Sequence, residues 1–157
     1  MFSRFFRPQP DLASLALRLG LAAIFIVHGY IKVVQTASLI PSIDLRILTA
    51  VGWAEVVCGV ALALGLVSRL AAAILLVLQA GAIQMVTSKK AFNGPEVHKW
   101  GADYAEVGPE FNMILMIMCL AVIVLGSGVV SLDHLIAKRL RRTPAPAAPA
   151  APTTPAA

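Results

Sequence analysis

The segment Leu12 to Val34 is long enough to cross a bilayer, yet it carries Arg18, His28 and Lys32. The next apolar segment carries Glu55 near its middle. An ionised group at bilayer depth costs roughly 2.5–3.5 kcal/mol on insertion scales. Such a residue persists where it faces a bundle interior or a wet cavity and has a partner. These charges restrict the chain to folds in which its first two long helices turn those residues inward. They also mark where chemistry is to be sought.

Composition agrees with a membrane chain. Of the 157 residues, 59% are hydrophobic and 13% charged, and the mean hydropathy is +0.83. A soluble domain has about 45–50% apolar and about 25% charged residues. Four apolar spans are readable, at about Leu12–Val34, Arg46–Leu66, Leu70–Thr87 and Phe111–Val130. Asp11 is the expected N-cap of the first. The interrupted, overlong apolar region and the lack of a small-residue cleavage site favour an uncleaved first helix over a signal peptide. The short turn Val67-Ser68-Arg69 predicts an antiparallel hairpin of the second and third spans. Pro41 marks the first connection. The long connection from Ser88 to Glu110 holds Trp100 and Tyr104, which suit a membrane interface. Ser131 to Arg142 reads as a short amphipathic or juxtamembrane helix. Ser131 or Asp133 is its expected cap, and the Gly126-Ser127-Gly128 triplet ends the fourth span. The expected fold is therefore all-α: a four-transmembrane-helix bundle over residues 12–137. The Pro/Ala tail, 143–157, has nothing to bury and is expected to be disordered.

Charge gives the expected orientation. Arg4, Arg7, Arg69, Lys138, Arg139, Arg141 and Arg142 fall on the side of the termini. Arg46, Lys89, Lys90 and Lys99 fall opposite, with Lys32 at the rim. The positive-inside rule then predicts both termini in the cytoplasm, N-in and C-in. The net charge of +5 is accounted for by span ends and anionic lipid headgroups, so no nucleic-acid partner is expected.

On a helical wheel Lys32 lies about 40° from both His28 and Arg18, so the three share one face. Arg18 lies in the cytoplasmic half, and His28 and Lys32 in the outer half. On the second span Gly52, Glu55 and Gly59 share a face, and small residues at that spacing admit a close neighbour. Glu55 is thus expected at a packed interface, pairing with His28 or Lys32. Gln79 and Gln84 on the third span, and Glu110 and Asn112 at the start of the fourth, add polar groups. Gln84 and Glu110 are expected to rim a cavity. No metal, haem or flavin site is readable, since only one histidine lies within a span. Cys58 and Cys119 both fall in apolar spans, where burial as small core residues is the ordinary outcome and a redox pair the alternative.

Three stretches together resemble the DoxX family of small four-helix membrane proteins. They are LRLGLAAIFIVHGYIKV at 17–33, GWAEVVCGVALALGLVSRLAA at 52–72 and LGSGVVSLDHLI at 125–136. The family takes its name from a subunit of a thiosulfate:quinone oxidoreductase. The resemblance implies redox or sulfur chemistry at a quinone-bearing membrane, such as the bacterial inner membrane. Some relatives are thought to assemble with soluble redox enzymes in oxidative-stress defence. The leading expectation is a membrane subunit of a redox system handling quinone or a small oxidisable anion. Lys32 and Arg18 would supply positive potential, and His28 a hydrogen bond or proton to a quinone oxygen or oxyanion. Glu55 would hold His28 or Lys32 and relay a proton. Arg18, Gln84 and Glu110 would contact substrate. Two alternatives are a non-catalytic scaffold that recruits a partner enzyme, and a small-solute permease built as a homo-oligomer.

Overall fold

The computed structural model describes residues 9–34, 44–87 and 109–141. Among these residues all regular structure is helical. The first connection with Pro41, Trp100 and Tyr104 in the long connection, Lys89, Lys90 and Lys99, and the 143–157 tail lie outside them.

Helix α1 spans Pro10–Val34. Proline suits its first turn because its missing N–H would have no partner there anyway. Helix α2 spans Leu45–Leu64, capped by the Asp44 carboxylate, which accepts from the Arg46 N–H at 2.7 Å. It ends in a Schellman turn: Leu66 N–H reaches the Ala61 carbonyl at 2.9 Å and Gly65 N–H that of Leu62 at 3.1 Å. That turn needs a left-handed residue at Gly65, whose φ is 67°, and glycine takes it without steric cost. Helix α3 spans Ser68–Ala82 and continues as a π turn, Ile83–Thr87. Helix α4 spans Pro109–Leu125 and helix α5 Leu132–Arg141.

Three helical stretches are long and apolar enough to cross a membrane: Pro10–Val34, Leu45–Leu64 and Ser68–Met85. Helix α4 is apolar but shorter, at 17 residues. Helix α1 packs on α2 and α4, and α3 packs on the same two, closing a ring of four. Ser14 meets Gly126 and Arg18 meets Leu62 at one end, while Lys32 meets Glu55 and His28 meets Phe111 at the other. Neighbours in the ring are therefore antiparallel. The core between them contains Leu21, Phe25, Leu62, Leu75, Cys119 and Val122. Cys58 and Cys119 are both free and buried in this cluster. Trp53, Val57, Val77, Ile117 and Val124 are exposed on the outside, as lipid contact requires.

Most helix ends fall within two residues of expectation, but two features at one end of the bundle differ more. The fourth helix stops at Leu125 rather than Val130, because Gly126 and Gly128 both adopt positive φ and turn the chain. Asp11 is not the N-cap of α1 but lies in its first turn. Its Oδ1 instead accepts the Val129 N–H at 3.0 Å, where a backbone group just beyond α4 has no helical partner of its own.

That contact belongs to a polar clamp that ties one end of the ring together. Arg18 is fully buried and donates to the Leu62 carbonyl at 3.3 Å and the Val130 carbonyl at 2.6 Å. The Ser14 hydroxyl donates to the Gly126 carbonyl at 2.5 Å. Ser131 caps α5, its Oγ accepting the His134 N–H at 3.1 Å. Asp133 is thereby released for another task. Its carboxylate accepts from the Val67 N–H at 2.9 Å and the Ser127 hydroxyl at 2.5 Å, while its own N–H reaches the Gly65 carbonyl at 3.2 Å. Val67 has a φ of 48°, which a β-branched residue seldom adopts, so the tether holds a strained turn.

Burial raises the Asp133 carboxyl. The hydrogen bonds from Ser127, Val67 and Ser68 and the Arg18 charge together outweigh that and hold it below its usual 3.8. A depressed carboxyl stabilises the fold above its ordinary value and loses that contribution as pH falls through the folded value. The stability gap between the parent and Asp133→Asn is therefore expected to narrow below about pH 3.8. Acid titration in detergent followed by tryptophan fluorescence measures it, and a gap that stays constant down to about pH 2 contradicts the tether.

Candidate functional site

At the other end of the ring α1 and α2 cross backbone to backbone. A Cβ added to Gly29 would fall 2.5 Å from the Gly52 carbonyl oxygen, and one added to Gly52 2.8 Å from that of Gly29. Only glycine at both positions admits this approach. It brings Lys32 Nζ onto Glu55 Oε1, where the two form an ion pair. Of the two partners expected for Glu55, the structure selects Lys32. Glu55 is 2% exposed and Lys32 23%, so the pair reaches inward from the rim. The second carboxylate oxygen, Oε2, is buried with no hydrogen-bond partner.

His28 is half-buried one turn before Lys32. Its ring stands 5.9 Å from that of Phe111, tilted by 32°, which fixes it beside the start of α4. Glu110 is half-buried in the first turn of α4, and its Oε2 is enclosed without a partner. Gln84 lies exposed on the π turn. Arg18 stands apart, about 21 Å from Lys32 along α1 at 1.5 Å per residue. A single small ligand cannot span both.

Two further residues, named from the sequence only as added polar groups of the third and fourth spans, belong to this end. Gln79 is 6% exposed and Asn112 8% exposed. Gln79 falls on the inward stripe of α3 with Ala72 and Leu75, and Asn112 on that of α4 with Leu115 and Cys119. Counting from the α2–α3 turn, Gln79 lies about 3 Å beyond the level of Glu55. Asn112 follows Phe111, the ring partner of His28. Each of the four helices thus places one polar residue near one level: His28, Glu55, Gln79 and Asn112. The signal was available in the i, i+3, i+7 spacing of Ala72, Leu75 and Gln79. Taken alone, a glutamine on an apolar stripe reads as an ordinary interhelical hydrogen-bonding group.

The arrangement offers a carboxylate oxygen without a partner, an ammonium beside it, an imidazole and two carboxamides, enclosed by apolar helices. Low polarity strengthens each of these groups as a donor, acceptor or charge. Among the described residues no group of three His, Cys, Asp or Glu side chains could hold a metal ion.

The DoxX family model matches residues 13–88 of the chain, just under half of its length. The DoxX match spans nearly all of α1 and the whole of α2, α3 and the π turn, so Arg18, His28, Lys32, Glu55 and Gln79 fall inside it. Glu110, Asn112 and the 125–136 stretch lie beyond it. No curated protein and no solved structure matched the chain. By length and composition, its three long apolar helices are those of an integral membrane protein.

Proposed function

We propose that this chain is a DoxX family member, the membrane subunit of a quinone-linked redox system, with four spans and both termini in the cytoplasm. The observation that carries the reading is the unpartnered Glu55 Oε2, buried beside the Lys32 ammonium. A buried carboxylate oxygen with no donor is costly, and a ligand hydroxyl would satisfy it. A quinol offers that hydroxyl, and a quinone offers a carbonyl to His28, Gln79 or Asn112. Reduction of a quinone takes two electrons and two protons. A partner enzyme of the membrane or the soluble phase would supply the electrons. Glu55 and His28 would pass the protons, with Lys32 stabilising negative charge on the quinone oxygen. The partner's substrate would be thiosulfate or another small oxidisable species, as the DoxX resemblance suggests.

The test uses substitutions that keep shape. Glu55→Gln and His28→Gln, purified in detergent and assayed with an added electron donor in place of the partner enzyme, are each expected to weaken quinone binding and to slow quinone reduction by about 10²–10⁴-fold, the usual range for a lost proton-transfer group. Unchanged binding and turnover in both variants would sink the proposal. The glycine crossing favours a second reading, in which the Lys32–Glu55 pair only fastens α1 to α2 and the chain anchors a partner enzyme. On that reading Glu55→Gln lowers thermal stability and leaves quinone binding untouched.

A further inference from the structure

Helix α5 has no buried residue. It begins where the ring ends, level with the first turn of α1 and the α2–α3 turn, through the Asp133 contacts to Gly65 and Val67. At about 100° per residue, Leu135, Leu132, Ile136 and Leu140 cover an arc of about 140°. All four are exposed, Leu140 by 71% and Leu135 by 55%. Lys138 and Arg141 lie on the opposite side, and Arg139 rises through the apolar arc one turn further along. All three basic residues are exposed in the last turns.

We infer that α5 lies in the interface of the leaflet at this end of the ring and binds anionic lipid headgroups. Three observations converge on that occupant. The apolar arc faces nothing among the described residues, and a helix of this pattern sinks its apolar face into the headgroup boundary. Its polar side is cationic without an acidic counterpart on the helix beyond Asp133, which is already engaged by Val67 and Ser127. Its starting level is where the apolar helices of an integral membrane protein stop. Arg139 fits as well, because a long guanidinium stem can lie along the apolar face and lift its charge to the headgroups.

The Asp133 tether gives the contact a consequence. The carboxylate joins α5 to the α2–α3 turn and faces the buried Arg18. Pull on α5 by the leaflet is transmitted to the turn through the Asp133 hydrogen bonds with Val67 and Gly65, with no long flexible linker between them. The helix therefore sets the depth and tilt of the ring against the membrane surface.

The experiment uses the full chain in nanodiscs of phosphatidylcholine alone, or of one part phosphatidylglycerol to two parts phosphatidylcholine. Nitroxide labels are placed on Leu135→Cys and, as the polar-side reference, on Ala137→Cys, with the unlabelled parent controlling for the buried Cys58 and Cys119. In anionic nanodiscs the label at 135 is expected to relax faster with oxygen and slower with a water-soluble nickel complex than the label at 137. Each basic residue near an anionic surface contributes about five-fold to binding. Replacing Lys138, Arg139 and Arg141 together by Gln is therefore expected to lower the immersed-to-free ratio by up to about 100-fold. These side chains are exposed, so unchanged thermal melting verifies that the variant folds. Equal water access at both labels in anionic nanodiscs overturns the inference. So does immersion that ignores both lipid charge and the triple substitution, or shielding of position 135 only after a soluble protein is added.

Discussion

Replacing Lys32 by methionine is expected to cost about 3–5 kcal/mol of bundle stability, the range for breaking a buried ion pair by removing one partner. The loss is asymmetric, and the asymmetry follows from exposure. Without Lys32, the Glu55 carboxylate is left at 2% exposure with neither oxygen paired. Without Glu55, the Lys32 ammonium is left at 23% exposure, and its long stem lets it swing to the interface. Glu55→Met is therefore expected to cost less than Lys32→Met, and its side chain fills most of the space the carboxylate leaves. The double variant with methionine at both positions removes two charges and fills the space with apolar volume. It is expected to recover most of the loss, since a well-packed apolar pair is often as stable as the ion pair it replaces. Equilibrium unfolding in mixed micelles of all four proteins closes the cycle. A Lys32→Met variant within about 0.5 kcal/mol of the parent would show that the pair does not form in the membrane.

The pair was legible in the sequence only down to a choice of two. Glu55 between Gly52 and Gly59 announced a close helix crossing, and the wheel placed His28 and Lys32 on the facing arc. What separates them is register. A helix that crosses at Gly29–Gly52 delivers Lys32 onto Glu55 and turns His28 toward Phe111 on α4. Register between helices is set by contacts far apart in the chain, and no local pattern prints it. The same applies to Asp11 and Asp133. Both carry cap-forming side chains next to helix starts, which made Asp11 the expected cap of α1 and Asp133, beside Ser131, a candidate cap of α5. The ring instead gathers orphan backbone groups from three chain segments at one end, and each carboxylate answers a group on a different segment. Spans were legible because twenty apolar residues are a local property. The end of α4 was overextended because Val129 and Val130 continue the hydropathy past glycines whose positive φ stops the helix.

Gly29→Ala is expected to be among the most disruptive small substitutions in the chain. Its new Cβ would stand 2.5 Å from the Gly52 carbonyl oxygen, 2.9 Å from Val56 Cγ2 and 3.0 Å from Glu55 Cβ. The first of these is backbone in mid-helix and cannot move aside alone, so α1 and α2 must separate. Overpacking of this kind costs about 1–3 kcal/mol, sometimes more, and the upper end applies where backbone is the obstacle. Gly52→Ala meets the Gly29 carbonyl at 2.8 Å and is expected to follow closely. Gly59→Ala first meets Ile26 Cγ1 at 2.9 Å, a side chain that can change rotamer, and is expected to be milder. A methyl group at Gly81 would meet nothing within 4 Å, so Gly81→Ala is expected to stabilise α3 by about 0.5–1 kcal/mol through helix propensity. The order can be read from melting temperatures in one detergent. In lipid there is no hydrophobic gain from pressing two apolar helices together, so contact at the glycines and the ion pair must hold α1 against α2. Separation of the helices by a methyl group lengthens the Lys32–Glu55 contact as well. Gly29→Ala and Lys32→Met are therefore expected to be strongly non-additive, the second costing much less in the background of the first. Additive losses would mean that the crossing and the ion pair are independent, and that the polar layer around Glu55 does not depend on how closely α1 and α2 approach.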